Sequence, residues 1–137
     1  MPTPYSEVYL HLVWATWDRL PMITTPVEDR LYGALVAKCA ELGCLCLAVG
    51  GTEDHVHLLV RLAPQVAVST LVGQLKGASS HLVNHEILGG GFRWQGSYGV
   101  FSVSKGSVAA VSEYVLGQKA HHRDGATLPA VERCQAE

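Results

Sequence analysis

The chain is 137 residues long, which fits one compact domain, residues 1–137, given roughly 100–200 residues per domain. Its 48% hydrophobic and 16% charged residues are a globular composition and exclude a disordered or collagen-like chain. Ten Lys plus Arg against twelve Asp plus Glu give a net charge of −2, so bulk charge does not draw in nucleic acid and any such binding must come from a local patch.

The first residues, Met1-Pro2-Thr3-Pro4-Tyr5-Ser6-Glu7, lack the positive region and apolar core of a signal peptide. No stretch approaches the roughly 20 apolar residues of a membrane span, so a cytoplasmic protein is expected. Residues 8–14 are rich in β-branched and aromatic side chains and read as a strand that ends at a polar turn with Pro21. Residues 27–42 carry Leu31, Ala34, Leu35 and Cys39 at three- and four-residue spacing, with Glu28 and Asp29 in the first turn and Gly43 at the end. That pattern predicts a helix. Residues 44–49 predict a strand, 50–54 a turn and 55–62 a second strand, together an antiparallel hairpin. Cys44 and Cys46 alternate on that first strand as small apolar residues, and the four cysteines show no C-x-x-C pair, as expected in a reducing compartment.

Residues 66–88 place Val68, Leu71, Val72, Leu75, Leu82 and Val83 at helical spacing, weakened by Gly73 and Gly77. Gly89-Gly90-Gly91 ends this helix, residues 92–97 form a loop, 98–103 a short strand and 104–107 a hinge. A last helix, capped near Ser107, runs to Gln118 or His121, and Arg123-Asp124-Gly125 and Pro129 open a loosely ordered end. The order β-α-β-β-α-β-α is the split βαβ, ferredoxin-like or RRM-like α+β pattern. It predicts a four-stranded antiparallel sheet with both long helices on one face, the other face free, and an additional C-terminal helix.

His55-Val56-His57 lies within a strand, so both imidazoles share one face while Val56, Leu58 and Val60 share the other. Imidazoles about 7 Å apart, from the ~3.3 Å rise per residue, can converge on one divalent ion; two polar surface histidines are the other reading. Tyr114 and Gln118, four apart, share a helix face. They can address one site as a nucleophile and an uncharged oxygen ligand, or simply line an amphipathic helix. Tyr98, Tyr9 and Tyr32 read as packing residues. His81 with His85 reads as a solvated helix face, His121 with His122 as a frayed helix end, and Trp14, Trp17 and Trp94 as core or loop packing rather than base-stacking platforms.

Four segments then resemble, in order, the motifs of a known family: Asp54-His55-Val56-His57-Leu58-Leu59-Val60, Leu71-Val72-Gly73-Gln74-Leu75-Lys76-Gly77-Ala78-Ser79-Ser80, Trp94-Gln95-Gly96-Ser97-Tyr98 and Tyr114-Val115-Leu116-Gly117-Gln118. The family is the single-tyrosine HUH transposases, small transposases of insertion sequences mobilised as single-stranded DNA, with their repeat-associated tyrosine transposase relatives. The resemblance implies that His55, His57 and Gln118 hold a divalent metal, Mg²⁺ or Mn²⁺, and that Tyr114 is the nucleophile. It implies metal-dependent transesterification of single-stranded DNA through a 5′-phosphotyrosine with a free 3′-hydroxyl, which a second 3′-hydroxyl reverses.

The resemblance further implies DNA with hairpin ends and a homodimer in which one subunit's tyrosine helix can complete the other's histidine site, with Gly106 supplying the freedom. Lys76, Ser79 and Ser80 match the family's Lys-Gly-x-Ser-Ser stretch and are candidate phosphate contacts, a helix surface with capping serines being the other reading. Arg19, Lys105, Lys119 and Arg123 are further candidates for a DNA-binding patch. The family is usually more basic than this chain, so the −2 balance departs from its pattern. Two alternatives stand beside the transposase reading: a domesticated or inactive relative that binds hairpin nucleic acid without cutting, and a metal-dependent phosphoesterase that uses an activated water.

Overall fold

The computed structural model describes residues 2–125 and 127–135. Its four strands, β1 (Tyr9–Ala15), β2 (Leu45–Gly51), β3 (His55–Arg61) and β4 (Gly99–Val103), form one antiparallel sheet in the order β2-β3-β1-β4. Two helices, α1 (Thr25–Glu41) and α2 (Val68–Leu82), separate the strands, and the ferredoxin-like topology expected from the element order is the one observed. Pro26 sits in the first turn of α1, where a missing N–H costs nothing. Gly43, at φ 79°, supplies the left-handed residue just past its end. The helix predicted over 66–88 is shorter: α2 ends at Leu82 and the chain continues as a π-helical turn, Val83–Ile87.

Alternation along the central strands assigns the two faces. Leu10, Leu12 and Trp14 of β1 and Val56, Leu58 and Val60 of β3 join Val27, Leu31, Leu35 and Cys39 of α1 and Leu71, Val72 and Leu75 of α2 in the main core. Cys44 belongs to the same core and Cys46 packs against it, so both are packing residues as expected.

The opposite face is covered rather than free. Helix α3 (Val108–Leu116) places Val115 against Ala48 and Leu59, with Val103, Val108 and Val111 packed around them. Cys134, near the C-terminus, packs on Val13 and Ala15. Two glycines make this cover possible, because a Cβ at Gly50 would lie 2.1 Å from the Val115 carbonyl oxygen and one at Gly99 would lie 1.9 Å from the Arg133 carbonyl oxygen. Helix and tail thus rest on bare strand backbone.

The last helix is also not continuous. It breaks at Gly117, and α4 (Gln118–Arg123) follows as a separate segment. The tail expected to be loosely ordered instead forms a 3₁₀ turn, Pro129–Val131, and lies across β4. Among the described residues no helix is long and apolar enough to cross a membrane.

Candidate metal and tyrosine site

The site forms on the face covered by α3, α4 and the tail. A tight turn sets it up: Thr52 N–H donates to the His55 carbonyl at 3.0 Å, closing the β2–β3 hairpin through Glu53 and Asp54. This brings Asp54 beside the first histidine. His55 is 2% exposed. Its Nδ1 lies 2.8 Å from Asp54 Oδ1 and 2.9 Å from Thr52 Oγ1, and the Thr52 hydroxyl donates to Asp54 Oδ1 at 3.1 Å. A carboxylate acceptor places the proton on Nδ1 and leaves the lone pair on Nε2. That Nε2 is buried and has no hydrogen-bond partner among the described residues.

His57, fully buried further along β3, is held by a second imidazole, with Nδ1 2.7 Å from Nε2 of His11 on β1. Both inward nitrogens face Glu132 of the tail. Its Oε1 lies 3.1 Å from His57 Nε2, 3.4 Å from His55 Nε2 and 3.3 Å from His122 Nε2 of α4. Each of the four residues offers a ligand atom within 4.8 Å of the others.

The electrostatics follow from this crowding. Burial pushes His57 down, more than the Glu132 carboxylate raises it, and burial with the neighbouring His57 pushes His11 down to about 4. Burial would also lower His55, but the Asp54 and Glu132 carboxylates reverse it and hold the pKa above the usual imidazole value. Glu132 is held far below the usual carboxylate range: burial opposes ionisation, and the neighbouring His55 and His57 imidazoles outweigh it.

Tyr114 adjoins the cluster. Its hydroxyl donates to Glu132 Oε2 and accepts from the Leu128 N–H at 2.9 Å, while its ring stacks on His121 with centroids 4.7 Å apart. Burial and the Glu132 hydrogen bond raise its pKa above the ordinary phenol value, so this arrangement holds a neutral phenol. Gln118, fully buried, donates from Nε2 to the Tyr114 carbonyl at 3.0 Å, and its Oε1 lies 3.0 Å from His122 Nε2.

A divalent ion fits this donor set. The unpartnered lone pair on His55 Nε2 and the carboxylate on its other nitrogen are the arrangement of a metal-binding histidine, in which an outer carboxylate fixes tautomer and ring orientation.

A family model described as "Transposase IS200 like" matches residues 4–118. The chain belongs to the IS200-like transposase family. It is 32% identical over 118 residues to the ISDra2 transposase TnpA of Deinococcus radiodurans, covering 82% of this chain and 84% of that one. It is 27% identical over 108 residues to the transposase for insertion sequence element IS200 of Salmonella typhimurium, covering 74% and 70%. A crystal structure of a candidate transposase from Deinococcus radiodurans R1 superposes with a TM-score of 0.69 at 30% identity, over 82% of this chain and 91% of that one. The structure of a REP-associated tyrosine transposase bound to a REP hairpin shares the fold, with a TM-score of 0.63 at 14% identity over 93% and 73% of the two chains. Single-tyrosine transposases are thus the family to which the four sequence motifs pointed.

His55, His57, Tyr114 and Gln118, singled out in the sequence, lie in one region of this transposase-family fold. Three contributors were missed. His11 looked like an ordinary strand residue, although an imidazole inside a central apolar strand is itself a signal. His122, read as part of a frayed end, stands in the cluster because the chain stays helical past Gly117 and puts it four residues on from Gln118, on the same face. Glu132 lies in a segment without periodicity and carried no local signal.

Of the basic and hydroxyl candidates, Arg19 borders the site through Asp54, and the others make their contacts away from the histidines. Lys76, on the α1/α2 side of the sheet, donates to the carbonyls of Gln95 at 2.8 Å and Ser97 at 2.7 Å. Ser79 is fully buried, donating to the Leu75 carbonyl at 2.7 Å and accepting from Trp94 Nε1 at 3.0 Å; Ser80 donates to the Gly77 carbonyl at 3.3 Å. Arg19 pairs with Asp54, Lys105 with Glu7, Lys119 with Glu28 and Arg123 with Asp124.

Proposed function

We propose that this chain cuts and rejoins single-stranded DNA by transesterification, with Tyr114 as the nucleophile and His55, His57 and Gln118 as the residues that hold a divalent metal. The observation that carries this reading is the meeting of the His55 Nε2 lone pair, the buried His57 Nε2 and the Tyr114 hydroxyl around one carboxylate. When bound, the ion would supply Lewis-acid polarisation of the scissile phosphate.

The protein's own residues account for the rest. Asp54 and Thr52 orient His55, and His11 orients His57. The Tyr114 oxygen, on losing its proton, attacks phosphorus in line, and the 3′ oxygen leaves and takes up a proton. The resulting 5′-phosphotyrosine keeps the bond energy of the phosphodiester, so an incoming 3′-hydroxyl can displace the tyrosine and join new ends. Because the phenol is neutral and held by Leu128 and Glu132 in this arrangement, attack requires those two contacts to be released.

The substrate in this reading is DNA whose single-stranded ends fold into hairpins. The REP-hairpin complex of the structural relative supports that choice. A homodimer in which the segment after Gly106 carries Tyr114 in cis or in trans completes the proposal, with residues 1–137 acting as one domain.

The test is a denaturing gel of labelled single strands from the flanks of the gene, with wild type and Tyr114→Phe in Mg²⁺, Mn²⁺ and EDTA. A metal-dependent protein–DNA adduct absent from the variant is expected. Cleavage without adduct that survives the substitution would replace the reading with a water-using phosphoesterase. Binding without cleavage in any metal would replace it with a hairpin-binding relative that does not cut.

A further inference from the structure

The family match ends at Gln118, yet two of the four groups that converge on the candidate metal position, His122 and Glu132, lie beyond it. We propose that Glu132 and His122 are ligands of the same ion as His55 and His57, making a three-imidazole, one-carboxylate centre that selects a first-row transition ion such as Mn²⁺ or Co²⁺ over Mg²⁺. This rests on the metal-dependent reading above.

Geometry is the first argument. Ligand atoms about 2.1 Å from an ion stand about 3.0 Å apart across an octahedral edge and about 3.4 Å apart across a tetrahedral one. The separations from Glu132 Oε1 to the three imidazole nitrogens are 3.1, 3.4 and 3.3 Å, and His122 Nε2 lies 3.0 Å from Gln118 Oε1. The Glu132 contacts have the spacing of one coordination shell, all four ligand atoms lie within 4.8 Å of one another, and Gln118 adjoins them through His122.

Charge is the second. The Glu132 side chain is only 17% exposed and faces imidazoles that are neutral whenever they act as ligands. A buried carboxylate without a counter-charge is costly, and a divalent ion supplies that charge. The third argument is orientation, because the outer nitrogens of His55 and His57 are both occupied, by Asp54 with Thr52 and by His11. Both Nε2 atoms are thereby directed at the same point.

Selectivity follows from donor type. Mg²⁺ prefers oxygen ligands and keeps several waters, whereas imidazole suits the later first-row ions. The same carboxylate holds the Tyr114 hydroxyl through its other oxygen, so an ion bound here lies one carboxylate away from the nucleophile.

The experiment uses the full chain, stripped with EDTA and titrated with Mn²⁺ or Mg²⁺ alone by calorimetry, and with Co²⁺ by visible absorption. The proteins are wild type, Glu132→Gln, His122→Gln and His57→Ala, with thermal melts of the metal-free forms as folding controls. Glu132→Gln and His122→Gln should each weaken Mn²⁺ binding by about tenfold or more and change the Co²⁺ spectrum, while Mg²⁺ binds wild type far more weakly than Mn²⁺. His122 is partly exposed, so its substitution reads the same ligand set should Glu132→Gln fail to fold.

Wild-type affinity and an unchanged Co²⁺ spectrum in both variants, with loss in His57→Ala, would overturn the added ligands and leave the His55, His57 and Gln118 reading standing. Undiminished binding in His57→Ala would overturn the metal-dependent reading itself. Equal affinity of wild type for Mg²⁺ and Mn²⁺ would overturn the selectivity.

Discussion

Replacing Gly50 with alanine tests whether the tyrosine helix is seated where the structure places it. Gly50 pairs with His57 across the β2–β3 ladder, and α3 crosses its backbone so closely that an added Cβ would lie 2.1 Å from the Val115 carbonyl oxygen and 3.0 Å from its carbon. Contacts below 3.0 Å are essentially never seen for a real Cβ, so the carbonyl must retreat by about 0.9 Å. Both partners are backbone, and no side-chain rotation relieves the clash. Overpacking of this kind costs about 1–3 kcal/mol, which for a chain of this size is a fall in Tm of about 3–15 °C. Tyr114, the proposed nucleophile, immediately precedes Val115, and a displacement of about 1 Å at a reacting group can cost on the order of 10²-fold in rate. Gly73→Ala is the control, because nothing lies within 4 Å of its added Cβ and alanine is favoured over glycine inside a helix by up to about 1 kcal/mol. The melting temperature should therefore fall for Gly50→Ala and hold or rise for Gly73→Ala, and the initial rate of adduct formation on a labelled single strand should fall only for Gly50→Ala. If Gly50→Ala melted with wild type and kept its rate, α3 would not rest on β2 in solution and the site geometry would be refuted.

Two further predictions concern residues around the site. Lys76→Met leaves the Gln95 and Ser97 carbonyls without their donor, which costs about 1–3 kcal/mol where such groups are buried. A lower Tm and faster hydrogen exchange across residues 92–98 are expected, while an unchanged Tm with weakened DNA retention would instead make Lys76 a phosphate contact. Asp54 gives the stability a pH dependence: burial opposes its ionisation, but the His55 hydrogen bond and the Arg19 guanidinium outweigh it and hold its pKa at about 2. A depressed carboxylate stabilises the fold at pH values above its unfolded pKa of about 3.9, and this contribution is lost as pH falls through the folded value. Melts between pH 5 and pH 2, values chosen as roughly spanning both pKa values, should fall more steeply for wild type than for Asp54→Asn; parallel curves would show that Asp54 is not held by these partners.

The sheet order and the two-faced partition of β3 were legible because strand periodicity is a local property. Val56, Leu58 and Val60 enter the core and His55 and His57 leave it for the same reason that alternate residues of any strand point apart. The expected free face was wrong for a physical reason that the sequence also carried in part. Gly50 reads as part of a turn and Gly99 as part of a short strand, whereas each marks a place where another backbone crosses closely. Helix spacing placed Tyr114 and Gln118 on one face, and one more turn of the same spacing puts His122 there, but the segment past Gly117 reads as a fraying end, whereas it stays helical as α4. Glu132 was illegible because its position is fixed by contacts distant in sequence, with Cys134 on Val13 and Ala15 and the Arg133 carbonyl over Gly99.

This division has a mechanical consequence. The histidines come from central strands β1 and β3, each paired on both sides and backed by the main core, so they belong to the most stable part of the molecule. The tail that brings Glu132 is held by a small apolar cluster, by the Leu128 N–H on Tyr114 and by Glu132 itself. Elements with few buried apolar contacts are the ones that open first. The group that caps the tyrosine is therefore carried by a segment with fewer buried apolar contacts than the sheet, while the residues that orient the histidines sit on the sheet itself. In the proposed reaction, freeing the Tyr114 hydroxyl needs only its contacts with Glu132 Oε2 and the Leu128 N–H to open, which leaves the sheet as it is.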